Sequence, residues 1–96
     1  MKSVQSERDA NDLMRRYMRG GKIVLKGCIA VRSDLVEILR KVRTSKIDPA
    51  TNWFDQHNFG SFEHSGEWFC WEIEEELSLE DNQFYRVLTI MLADQY

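Results

Sequence analysis

The chain has ninety-six residues, 43% hydrophobic and 11% aromatic, enough for one compact core but not for a second, and too apolar for a disordered chain. Its apolar runs, such as Val87 to Ala93, fall far short of the ~18 residues of a membrane span, and no basic segment followed by an apolar stretch opens the chain, so a cytoplasmic protein is expected. The formal net charge of −3 conceals a segregation: residues 1–46 carry twelve Lys or Arg against five acids (+7), and residues 47–96 carry Arg86 against eleven acids (−10).

Ser6 to Arg19 reads as an amphipathic helix. Ala10, Leu13, Met14, Tyr17 and Met18 recur at the spacing that gathers apolar groups into one stripe. Ser6, with Asp9 three residues on, marks its start, and Gly20-Gly21 its end. Asp12 lies one turn from Arg15 and Arg16. Lys22 to Lys26 reads as a short strand, with Gly27 bulging or turning it before Cys28 to Val31. Ser33 is the expected N-cap of a second helix from Asp34 to Arg43, whose buried stripe is Leu35, Ile38, Leu39 and Val42. Arg40, Lys41 and Arg43 sit where cations complement the helix dipole.

Thr44 to Asn58, with the chain's only proline at Pro49, has no clean period and reads as a loop. An antiparallel meander follows. Phe59 to His64 is a strand, Ser65-Gly66 a turn, and Glu67 to Ile73 a second strand. The apolar succession Trp68-Phe69-Cys70-Trp71 places that strand centrally, covered on both faces. Glu74 to Gln83 reads as an acidic connection. The β-branched residues in Phe84 to Leu92 favour a strand over a helix there. These elements make a single α+β domain over residues 1–96, with two helices packed on a mostly antiparallel sheet of three to four strands.

Four blocks carry a family resemblance: Asn11-Asp12-Leu13, Gly20-Gly21-Lys22-Ile23-Val24-Leu25, His57-Asn58-Phe59-Gly60-Ser61-Phe62 and Arg86-Val87-Leu88-Thr89-Ile90-Met91-Leu92-Ala93. In that order they resemble the bacterial domain-of-unknown-function family 3768, from about Asn11 to Tyr96. The resemblance implies a setting on plasmids, phages and integrative elements, and no settled activity. The chain departs from the family pattern where Asn52-Trp53-Phe54 and Gln56-His57-Asn58 stand, with amides in place of two carboxylates. It departs again at Trp71-Glu72-Ile73-Glu74. An amide neither exchanges a proton near neutral pH nor supplies the charge a hard metal prefers.

His57 is the candidate general base, because imidazole titrates near neutral pH. Only Asp48 and Asp55 of its own loop stand near it in sequence, and a structural hydrogen bond is the favoured role. His64, before a turn, is expected to be an exposed strand-end residue. Cys28, Cys70, His57 and His64 match no zinc spacing. The two cysteines read as small buried hydrophobes in apolar strands, and their number fits a reducing compartment rather than a disulfide framework. No catalytic residue, metal or cofactor is assigned.

The expected function is a small non-enzymatic interaction protein of phage or plasmid origin that binds and inhibits a host protein complex. Together with small size and segregated charge, the mobile-element setting that the resemblance implies points to a CRISPR–Cas effector as the target, an anti-CRISPR-like activity. Its partner-binding residues are Glu72, Glu74, Glu75, Glu76, Glu80 and Asp81, with Trp53 and Phe54 as aromatic anchors. The alternative is a nucleic-acid-binding accessory protein using Arg15, Arg16, Arg19, Lys22, Arg40, Lys41 and Arg43. Opposite charges on one chain also allow pairing into a homodimer.

Overall fold

The computed structural model describes residues 4–45 and 57–96, with side chains from Arg8 onward. The aromatic pair Trp53 and Phe54 and most of the expected loop lie outside the described residues. Strands β1 (Gly21–Leu25), β2 (Phe59–His64), β3 (Glu67–Leu77) and β4 (Phe84–Leu92) form one sheet in the order β1-β4-β3-β2. The β2–β3 and β3–β4 pairs are antiparallel, whereas β1 runs parallel to β4. Two helices, α1 (Val4–Tyr17) and α2 (Leu35–Arg43), complete the α+β fold expected from the sequence.

The β2–β3 hairpin closes through Ser65 and Gly66, both with positive φ (52° and 79°), the backbone sense that matches the twist of adjoining strands. Strands β3 and β4 lie inside the sheet and are hydrogen-bonded along both edges, and Phe69 to Trp71 of β3 and Ile90 and Met91 of β4 are buried on both faces. Phe69, Trp71 and Ile73 of β3 stand in register with Leu92, Ile90 and Leu88 of β4, facing the helices. Met14 of α1, Ile38 and Val42 of α2, and Ile29 in the 3₁₀ turn Ile29–Val31 close over them. Each such side chain contributes about 1.5–3 kcal/mol when removed from water. The stripe expected for α2 is the observed one, with Ile38 and Val42 buried and Leu35 and Leu39 packed at its margins.

Trp71, fully buried, lies flat across Gly60 of β2. A β-carbon on Gly60 would stand 2.5 Å from the indole ring, so this position admits no side chain unless the ring moves. On the opposite face, Cys70 and Met91 are buried. There the 3₁₀ turn Ala93–Gln95 leads the chain back until the Tyr96 ring meets Phe59 edge to face, with centroids 5.2 Å apart.

Several expectations are corrected. The first helix begins at Val4, so Ser6 lies inside it rather than capping it. It ends at Tyr17, and Met18, not a glycine, takes the first left-handed position (φ 55°). The face of α1 turned inward carries Asn11, Met14 and Arg15, while Leu13 and Tyr17 are exposed. Polar partners across the sheet, described below, draw Asn11 and Arg15 inward. The N-cap of α2 is Asp34 rather than Ser33, and its side chain makes no capping hydrogen bond. Cys28 is exposed in a turn rather than buried in a strand. Trp68, expected to be covered, is 56% exposed. The acidic connection is shorter than expected: Glu74, Glu75, Glu76 and Leu77 belong to β3, in register with Val87, Arg86, Tyr85 and Phe84.

Candidate functional site

Past the end of β2, which stops opposite Glu72, and the start of β1, which begins opposite Arg86, β3 and β4 continue together as a two-stranded ribbon. Such ribbons are marginal in water without further support. Here Ser78 N donates to Gln83 O (2.8 Å), Gln83 N to Asp81 Oδ1 (3.1 Å) and the Tyr85 hydroxyl to Glu76 Oε2 (3.0 Å). The last bond pushes the Tyr85 hydroxyl pKa up, because the phenol is held as a donor to a carboxylate. Glu76, Glu80 and Asp81 are exposed on this ribbon, and Glu74 and Glu75 are exposed at its base, where β1 still flanks β4. Among them stand Leu77, Leu79 and Phe84, exposed by 43%, 91% and 64%.

The sixth acid, Glu72, is half-buried and set apart from the ribbon tip. Glu72 and Glu74 project from the face opposite the helices, the face that carries Cys70, Thr89 and Val87. Burial raises the Glu72 pKa, the neighbouring charge of Glu74 raises it further, and Lys26 partly opposes both. Burial also raises the Cys70 thiol, with Glu72 adding to it. Beside these carboxylates lies a cleft of about 390 Å³ lined by Asn58, Phe59, Glu72, Ile73, Glu74 and Tyr96. A second hollow, about 320 Å³, is lined by Glu67, Trp68, Leu92, Ala93 and Asp94.

Two histidine–carboxylate–arginine networks sit on the helix side. In the first, His57 Nδ1 lies 2.9 and 3.0 Å from the two oxygens of Asp12. Asp12 also accepts from Arg15 Nη2 (3.1 Å), and Arg15 Nη1 donates to the Ser45 carbonyl (2.7 Å). Arg15 is only 3% exposed and stacks over Trp71, with the guanidinium carbon 5.6 Å from the ring centroid. Alongside, Arg86 Nε donates to the buried Asn11 Oδ1 (2.9 Å). The carboxylate expected to be missing from His57 is therefore Asp12, 45 residues away, a pairing with no trace in local spacing. His57 has a left-handed backbone (φ 55°), and the network ties the residues before β2 to α1.

In the second network, His64 Nε2 lies 3.0 Å from Asp34 Oδ2. Arg32 grips Asp34 through two nitrogens (2.9 and 3.1 Å) and reaches Glu67 Oε2 (2.7 Å). The guanidinium holds the Asp34 carboxyl pKa down to about 2, while Asp34 and Glu67 raise the Arg32 pKa. His64, expected to be exposed, is instead half-buried against Asp34, with its side chain 12% exposed. Among the described residues, no three His, Cys, Asp or Glu converge as a metal site requires.

The basic residues do not all lie on one face. Arg15 is enclosed, which corrects its assignment as a phosphate contact. Lys22 stands in register with Val87 on the face opposite the helices. Lys41 Nζ donates to the Glu63 carbonyl (2.8 Å) and Arg43 Nε to the Arg16 carbonyl (2.8 Å). Arg16, Arg19 and Arg40 are exposed. No protein-family model matches the chain, and neither the curated proteins nor the solved structures offer a match. Among the described residues, no helix is long and apolar enough to cross a membrane.

Proposed function

We propose that this chain is a non-enzymatic interaction protein that docks on a basic surface of a host protein complex and blocks it. One observation carries the reading: the β3–β4 ribbon and its base present five exposed acids around three exposed apolar side chains. Negative potential on a projecting element steers encounter with a positive surface and selects against acidic ones. Leu77, Leu79 and Phe84 supply apolar area that releases water on contact, which acids alone do not. With Arg15 enclosed and Lys22 on the face opposite the helices, the basic set expected to hold phosphate is divided.

The partner of this chemistry is a protein with a basic groove built for nucleic acid. A CRISPR–Cas effector is one such complex. A cytoplasmic inhibitor carried on a phage or plasmid, with anti-CRISPR-like activity, is the setting this reading implies. The experiment is affinity capture from host lysate with the full chain and with Glu76→Gln/Glu80→Gln/Asp81→Asn. The unaltered chain is expected to retain a stoichiometric partner whose nucleic-acid binding it competes for, and the triple variant to lose it. Equal capture by both chains overturns the reading. So does direct binding of labelled DNA or RNA that weakens steeply with salt.

A further inference from the structure

The cleft at the base of the ribbon has a composition suited to one kind of ligand. Phe59 and Tyr96 meet edge to face on one side of it. Glu72 and Glu74 stand on the same side of β3, about 6.6 Å apart at the usual rise of roughly 3.3 Å per residue. Two carboxylates on neighbouring same-face positions of a strand can share a planar, forked cation, and aromatic rings attract a cation stacked against them. Lys26 offsets part of the charge of this pair, and the effect of Glu74 on Glu72 outranks it. A volume of about 390 Å³ admits an extended side chain rather than only a bare ion.

We infer that the cleft formed by Phe59, Glu72, Glu74 and Tyr96 is an anchor pocket for an arginine side chain of a protein partner. The assignment rests on the ribbon being a docking surface, and it adds where and how the partner is gripped. Glu74 belongs to both features, so a chain steered in by the ribbon meets the cleft at its base. The guanidinium lies against the aromatic pair and is shared between the two carboxylates. Its charge relieves the repulsion that Glu72 and Glu74 impose on each other.

The test needs no identified partner. The full chain, isotope-labelled for NMR, is titrated with three capped peptides, Gly-Arg-Gly, Gly-Lys-Gly and Gly-trimethyllysine-Gly. The arginine peptide is expected to give saturable shifts at Phe59, Glu72, Glu74 and Tyr96 with millimolar affinity, at least tenfold tighter than either lysine peptide. Glu72→Gln and Tyr96→Leu are each expected to weaken it severalfold, while Glu37→Gln, at an exposed acid of α2, leaves it unchanged. Absence of saturable shifts at these residues in the unaltered chain overturns the pocket, whether or not the variants fold. Equal response to all three peptides overturns the arginine assignment. If the peptides fail while capture by the ribbon stays sensitive to its acids, the pocket falls and the docking surface stands.

Discussion

The two His–Asp–Arg networks use the same three side-chain types to different ends. Around Arg32 the groups lie near solvent: the arginine side chain is 25% exposed, Asp34 26% and Glu67 42%. Water and salt screen such pairs, so they hold the β2–β3 turn against the start of α2 without carrying the fold. Around Arg15 the cation is enclosed, stacked on Trp71 and bonded to Asp12 and the Ser45 carbonyl. A charge taken out of water is costly unless its partners are all in place. Among the described residues, Arg15 Nε and Trp71 Nε1 have no hydrogen-bond partner, so part of that cost is not offset and the bonds Arg15 does make matter the more. The lesson is that depth, not chemistry, sets what an ion pair contributes.

That difference can be broken experimentally. The largest effect is expected from Arg15→Ala, which removes one partner of Asp12, leaving His57, and empties the space over Trp71. A loss of about 2–4 kcal/mol is expected, from charge-assisted hydrogen bonds and packing lost together, read from the urea unfolding midpoint. Arg32→Ala should shift the same midpoint far less, and equal losses would remove the contrast. Next is Gly60→Ala, which forces the Trp71 indole off its seat and disturbs the platform beneath Arg15. A cost of about 1–3 kcal/mol is expected for such overpacking, together with a changed tryptophan fluorescence maximum. An unchanged stability and spectrum would show that the ring accommodates the methyl freely.

The smallest effect belongs to the exposed network and is confined to acid. The Asp34 carboxyl has its pKa lowered from 3.8 to about 2 by Arg32. The stability it contributes is therefore present above about 3.8 and is lost as pH falls through about 2. Asp34→Asn should flatten that part of the stability profile. Melting temperatures of the two chains at pH 2, 4 and 7 check it.

Much of the sheet was legible in sequence because its signals are local. Alternation and β-branched residues bounded β2 and β4 at the residues observed, and Ser65-Gly66 marked the turn between β2 and β3. The far end of β3 was not legible. Three consecutive glutamates read as solvated connection, yet Tyr85 and Arg86 across the ladder give that stretch a partner strand. The inward face of α1 was misread for the same kind of reason. An apolar stripe through Leu13 and Tyr17 was expected, but Asn11 and Arg15 turn inward to Arg86 and Trp71. The acidic stretch of the candidate site was visible from composition. The exposure of Leu77, Leu79 and Phe84 around it, and the meeting of Phe59 with Tyr96, were not.

From residue order alone came the fold class, the helix count, the central position of β3 and the segregation of charge, since propensity, periodicity and composition act over a few residues. Tertiary structure alone decided that β1 lies parallel beside β4, that Asp12 and Asp34 orient the two histidines, and that Arg15 is enclosed while Arg16 is not. These depend on groups 30 to 75 positions apart being brought within hydrogen-bonding distance. Only the closing of the shared core over Trp71 and Phe69 fixes which distant partners meet.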